Sequence, residues 1–324
     1  MKNVKKSSAL QPAGPFSRSS GKRLRRELRD YGALYLLALP GLVTLLLFNY
    51  LPMAGLVIVF KSYNFQDGIF GSPWVGFQNF RFLVADFPNA WRATANTVAL
   101  NILFIFFGTL FAVAIAIMMN ELGSKRVRKL TQSIMFFPYF LSWVAMGSIA
   151  QIFLSDNGVI NNLLELFSIK SVSWYSAAGA WKPILVIANL IKNTGYNSII
   201  YFAALTGFDA SLYEAAEIDG ASRLKRIFYI TVPLLMPTIV IMFLLSIGRI
   251  LNGDLGMIFG MTNRNPLLFS STEVLDTYVY RAVLQNGQFE IGSAVTLYQS
   301  VFGFLLVLFS NWIAGKFESD YKLF

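Results

Sequence analysis

"YEAAEIDGASRLKRIFYITVPLLMP", Tyr213–Pro237, is the stretch that decides the fold. Six charged side chains fall in its first fourteen residues, after which it turns apolar. Leu212, Ala215 and Ala216 share one helical face; Leu224, Ile227 and Phe228 share another. Gly220 lies between them. Glycine costs about 1 kcal/mol inside a helix, so it marks a turn with positive φ here. Asp209 or Ser211 can cap the helix before it. The predicted shape is a short helix, a sharp turn and a second helix that enters an apolar span at Pro233. Arg223, Lys225 and Arg226 would suit an amphipathic helix lying on a membrane. Glu214, Glu217 and Asp219 would not, because the inner leaflet is anionic. The mixed charge favours a knob that docks on another protein.

The chain around it is built for lipid. Of 324 residues 55% are hydrophobic and 14% charged, against about 25% charged in a soluble domain. Phe occurs 30 times, and the mean hydropathy is +0.55. There is no Cys, hence no disulfide, thiolate nucleophile or Cys metal site. There is no His either, which removes the commonest general base and metal ligand. The net charge of +10 does not imply nucleic-acid binding, since nine of the 27 Lys and Arg precede residue 30, just before an apolar span. Residues 1–30 read as a basic cytoplasmic segment, disordered over its first twenty residues. No internal repeat stands out.

Six segments have the length and apolarity of membrane helices: about 31–60, 94–120, 130–154, 182–206, 232–252 and 292–315. Pro40 and Pro52 predict a kinked or broken first span, too long and too far from the start for a cleaved signal. Eighteen Lys and Arg fall on one side of this layout and seven on the other. The excess puts both termini in the cytoplasm and turns the loops 61–93 and 253–291 outward. The predicted fold is all-α and integral to the membrane, with residues 31–324 as one six-helix domain and 207–233 as a cytoplasmic loop.

The opening stretch resembles the EAA loop of binding-protein-dependent ABC importer permeases. That pattern is Glu-Ala-Ala, three residues, Gly, nine residues, Ile, one residue, Leu and Pro. Glu214, Ala215, Ala216, Gly220, Ile230 and Pro233 match it, Asp219 fits its extended form, and Val232 replaces the Leu. "LPGLVTLLLFNYLPMAGLVIVFKSYN", Leu39–Asn64, and "SPWVGFQNFRFL", Ser72–Leu83, resemble the entry segment of maltose-importer-like sugar permeases, in the branch serving complex oligosaccharides. In length and sequence the chain is similar to membrane subunits of bacterial alginate importers. The resemblance implies a type I ABC importer permease. It implies a second permease subunit in a heterodimer, two cytoplasmic ATPase subunits, an extracytoplasmic solute-binding protein and a bacterial inner-membrane setting among lipids. Those seven loop residues would form the coupling helix, with Glu214 pairing with a cation on the ATPase. The chain has no G-x-x-x-x-G-K-[ST] stretch, so ATP and Mg²⁺ belong to the partner ATPase. No cofactor or metal, and no catalytic residue, is expected in this chain.

The family's substrate cavity lies between two permeases near mid-membrane. Lys192 is ten residues past Lys182, about 15 Å along the fourth span. An intramembrane charge faces a cavity or a partner, and no Asp or Glu lies within the six spans. Lys192 is therefore a pathway candidate, with an interhelical polar contact as the competing reading. Asn193, Tyr196 and Asn197 add hydrogen-bonding capacity beside it. Arg249 either snorkels or joins the path; Trp143 either stacks on a sugar ring or packs between helices. A deep lysine without an acidic partner leads us to expect an anionic substrate, a uronate-like oligosaccharide. The rivals are a permease for neutral sugars, peptides or phosphate, a proton-coupled carrier and a membrane enzyme. The carrier lacks intramembrane titrating groups, and the enzyme lacks a carboxylate cluster or metal site.

Overall fold

The computed structural model describes residues 20–317, so the predicted disorder of the N-terminal segment and the placement of Lys322 lie outside the described residues. The chain divides into two units, up to Leu56 and from Val57. In the first, α1 (Ser20–Leu45) contains Pro40 and passes into a wide turn at Leu46–Tyr50 and a short helical piece, Leu51–Met53. Thr44 Oγ1 donates to the Pro40 carbonyl at 2.8 Å.

The regular structure described in the second unit is all helical, apart from one isolated bridge between Lys61 and Trp74. Its main helices are α2 (Phe87–Glu121), α3 (Lys125–Phe136), α4 (Trp143–Leu154), α5 (Trp181–Thr206), α6 (Ala210–Ile218), α7 (Arg223–Arg226), α8 (Val232–Ile247), α9 (Leu255–Thr262), α10 (Leu275–Tyr280) and α11 (Phe289–Phe317). Four described helical runs are long and apolar enough to cross a bilayer: Tyr31–Phe60, Pro88–Glu121, Arg223–Ile247 and Phe289–Lys316. A fifth is the bent pair that holds α3 and α4. Helix α5 has 26 residues, about 39 Å at 1.5 Å each, but Lys182, Asn189, Lys192, Asn193 and Asn197 dilute its apolarity.

Two expectations need correction. The predicted continuous span 130–154 is broken, because α3 ends at Phe136 and a tight turn covers Phe137–Phe140. Pro138 has no N–H to continue the helical ladder, and Ser142 restarts it by accepting from the Ala145 N–H at 3.1 Å. The two halves, Lys125–Phe140 and Trp143–Leu166, diverge by 97°. The segment 253–291 is not a simple outward loop either. It folds into α9 and α10, whose Met257, Ile258, Met261 and Leu275 are buried. The fifth span accordingly stops at Ile247, not 252, and Arg249 lies in the turn beyond it.

Three apolar clusters hold the second unit together. One joins α2, α5 and α9 through Leu100, Trp181, Leu185 and Met257. Another packs α10 and α11 through Leu275, Ala294 and Val295, with Val59. The third holds Ala112, Tyr201 and Leu235 together, where α2, α5 and α8 meet. Helices α3 and α5 touch backbone to backbone, since a Cβ on Gly195 would stand 1.9 Å from the Met135 carbonyl oxygen. Close approach through a small residue is how helices gain packing where lipid supplies no hydrophobic drive. A polar brace ties α10 to α2. Glu273 is buried and takes Arg92 at 2.7 Å on one oxygen and Arg281 on the other. Asn96 Nδ2 donates to the carbonyls of Ser270 and Glu273. A carboxylate this buried needs such partners to offset its lost hydration.

Candidate functional site

The Tyr213–Pro237 stretch folds as a helix, a turn and a helix. Asp209 caps α6 by accepting from the Ser211 N–H at 2.9 Å, and that bond holds its carboxyl below the usual range. Gly220 has φ +74° and closes α6. Its N–H donates to the Glu217 carbonyl, and the Ala221 N–H reaches back to the Ala216 carbonyl at 2.9 Å. These two bonds satisfy the last carbonyls of a helix around a left-handed residue. Ser222 Oγ then accepts from the Lys225 N–H at the start of α7. Arg226 bridges back to Glu217 at 2.8 Å, and the hydroxyls of Tyr213 and Thr231 meet at 3.2 Å. The resulting knob exposes Glu214, Ala215, Asp219, Gly220 and Pro233, while Ala216 and Ile230 are half-buried. Ile218, at its tip, is 86% exposed.

A cavity of about 960 Å³ opens between α2, α5, α8 and the start of α9. Asn189, Asn193 and Asn197 line it from α5. Their spacing of four residues stacks them on one face about 6 Å apart. None of the three amides bonds to another residue among those described. Arg249 lines the same cavity, and its guanidinium has no hydrogen bond or ion pair among the described residues. Asn101 faces it from α2, with its Nδ2 donating to the carbonyls of Ile250 and Asn252. Asp254 and Asp276 complete the polar wall. Burial raises the Asp276 carboxyl above its usual range, while the Gly253 N–H and the Gln299 amide oppose the shift.

Lys192, Tyr196 and Trp143 sit elsewhere. Lys192 is buried at the break between α3 and α4, where its Nζ donates to the carbonyls of Tyr139, at 2.8 Å, and Leu141. It lies over the rings of Tyr139, at 5.6 Å, and Trp143, at 5.3 Å. Tyr196 stacks on Tyr139 with ring centroids 4.2 Å apart. Of the path candidates, Asn193, Asn197 and Arg249 thus share a cavity, whereas Lys192 serves an interhelical polar contact. Sequence reasoning missed Asn189, Asn101 and Asp276. The repeat of Asn at 189, 193 and 197 was a readable signal for the first. Nothing local marked the other two, which depend on packing between distant segments.

A bundle of apolar helices around a polar cavity, carrying an exposed charged helix–turn–helix, defines a membrane transport subunit. Residues 108–320 match the family described as binding-protein-dependent transport system inner membrane component, and the chain belongs to that family. It is 37% identical to the protein LplB of Bacillus subtilis (strain 168) over 290 residues, covering 89% of this chain and 90% of LplB. It is 35% identical to the polygalacturonan/rhamnogalacturonan transport system permease protein YteP of the same organism, over 99% of both chains. A chain of the bacterial alginate ABC transporter in complex with alginate pentasaccharide-bound periplasmic protein superposes with a TM-score of 0.82. That match has 32% identity and covers 91% of this chain and 98% of that one. A chain of a bacterial ABC transporter involved in the import of the acidic polysaccharide alginate gives 0.80 at 33% identity, covering 90% and 98%. The protein is therefore an ABC importer permease of the type I fold, a multi-pass inner-membrane transport subunit and not an enzyme.

Proposed function

We propose that this permease moves an acidic, uronate-like oligosaccharide into the bacterial cytoplasm. The observation that carries the reading is Arg249, an unpartnered cation beside three free amides in one cavity. A guanidinium matches a carboxylate in two parallel bonds, and amides match sugar hydroxyls. The relatives point the same way, through polygalacturonan and alginate. Lys192, the cation the sequence put first, is engaged at the helix break, so the role passes to Arg249. Six spans complete the account, with α5 and the bent pair counted among them and both termini in the cytoplasm. A second permease forms a heterodimer with this chain, two ATPase subunits hydrolyse ATP with Mg²⁺, and a solute-binding protein delivers the sugar from outside. The knob around Gly220 is the coupling element. Its exposed Glu214 meets a cation of the ATPase, and Ile218 enters the ATPase cleft.

The substrate reading is tested with Arg249→Met, which removes the charge and keeps most of the volume. Losing a charged hydrogen bond of about 2 kcal/mol should lower pentasaccharide affinity about 30-fold. Unchanged uptake of alginate pentasaccharide by the assembled variant refutes the role of Arg249. For the topology, a cysteine placed in 61–93 should react with an impermeant thiol reagent in intact cells and one in 121–129 should not. The opposite pattern overturns the orientation.

A further inference from the structure

Arg249 shares its cavity wall with two carboxylates, Asp254 and Asp276. Both are held by other donors. Asp276 is half-buried and its Oδ2 accepts from the Gly253 N–H and from Gln299 Nε2 at 3.1 Å. Asp254 is exposed; its Oδ1 caps α9 by accepting from the Met257 N–H at 2.8 Å, and its Oδ2 accepts from Trp143 Nε1 at 2.6 Å. Trp143 is thus the one side chain among those described that donates to Asp254 Oδ2. The indole is itself fixed. Ser142 caps the helix that Trp143 begins, and Lys192 pins the preceding carbonyl of Leu141 while lying over the indole. A short bond from N–H to an ionised carboxylate is among the stronger hydrogen bonds, so the hold is effective.

We propose that Trp143 is a specificity-determining positioning residue whose indole N–H latches Asp254 away from Arg249 and so keeps the cavity's cation open for an acidic sugar unit. The proposal rests on the reading of Arg249 given above. Without the indole donor, Asp254 Oδ2 has no protein partner among the described residues and turns into the cavity whose wall it shares with Arg249. Arg249 then carries an internal counter-ion that an incoming carboxylate must displace. The same latch explains why an aromatic side chain near a sugar path need not stack on the sugar at all.

The test uses the whole transporter in nanodiscs and the equilibrium binding of alginate pentasaccharide by calorimetry. Trp143→Phe keeps the ring over Lys192 and removes only the N–H. It should raise the dissociation constant about tenfold, as expected for a charged hydrogen bond turned to an internal partner. Adding Asp254→Asn should bring it back to within about twofold of wild type, because Asn caps α9 as well as Asp does and has no charge to offer Arg249. A merely structural tryptophan would not be rescued by a charge change on a neighbour. An unchanged constant in Trp143→Phe, or a loss that Asp254→Asn fails to relieve, overturns the latch while leaving the acidic-substrate reading intact. A wild-type transporter that binds no acidic oligosaccharide overturns both. Should Trp143→Phe fail to assemble, Asp254→Glu with Trp143 intact serves in its place. Its longer carboxylate reaches past the latch and should weaken binding, and unweakened binding there counts against the proposal.

Discussion

Gly220 permits a perturbation whose size can be worked out in advance. Its φ is +74°, and a Cβ built on it meets nothing within 4 Å. A substitution there therefore acts through backbone conformation and not through a clash. An L-residue in the left-handed region costs about 1–2 kcal/mol, and a β-branched one more. Asparagine is the exception that tolerates the region. Gly220→Ala should shift the turn between α6 and α7 by about tenfold in population, and Gly220→Val by about 30-fold or more. Gly220→Asn should be close to wild type. If this turn holds the coupling element, ATP-driven uptake and substrate-stimulated ATPase activity should fall in the order Asn, Ala, Val while the complex still assembles. Both activities are measured on purified transporter in proteoliposomes with loaded binding protein. Full activity in Gly220→Val refutes the reasoning, as does an Asn variant worse than the Val one.

Three further outcomes follow from the packing. Gly195→Ala sets a methyl 1.9 Å from the Met135 carbonyl oxygen, which forces α3 and α5 apart. Overpacking of this kind costs about 1–3 kcal/mol, so the melting temperature of the purified complex should drop, and an unchanged melt counts against the contact. Lys192→Met leaves the carbonyls of Tyr139 and Leu141 without their donor, a loss of about 3 kcal/mol at the helix break. It should lower the melting temperature where Arg249→Met does not; a stable Lys192→Met that has lost only substrate binding would return Lys192 to the path. Glu217→Ala breaks an exposed ion pair with Arg226 worth less than about 1 kcal/mol, and uptake should hardly change.

The helix–turn–helix around Gly220 could be read directly because its structure is local. A cap, a helix, a glycine with positive φ and a second cap all lie within consecutive residues, and each has a residue-type signature. The long apolar helices were equally plain, since length and hydropathy alone mark them. The break in the third span was not taken from the sequence, although Pro138 and the capping Ser142 were there to be seen, because apolar content stays high across it. The segment 253–291 has the sequence pattern of a loop because α9 and α10 are too short to show a period, and only tertiary burial makes them helical. The site was half legible. Which face of α5 a residue occupies separates Asn193 from Lys192, adjacent in sequence but directed at a cavity and at a helix break respectively. A charge deep in a span signals that a partner exists, not whether that partner is a substrate or a carbonyl.

The central claim is that this chain is the passage of an ATP-driven importer for acidic oligosaccharide. It is tested most directly by reconstituting the chain with the second permease, ATPase and binding protein proposed for it in proteoliposomes and following labelled alginate pentasaccharide presented on that binding protein. The account predicts uptake that requires ATP and the loaded binding protein and is indifferent to an ionophore. Uptake that proceeds without ATP and collapses with the ionophore would contradict it.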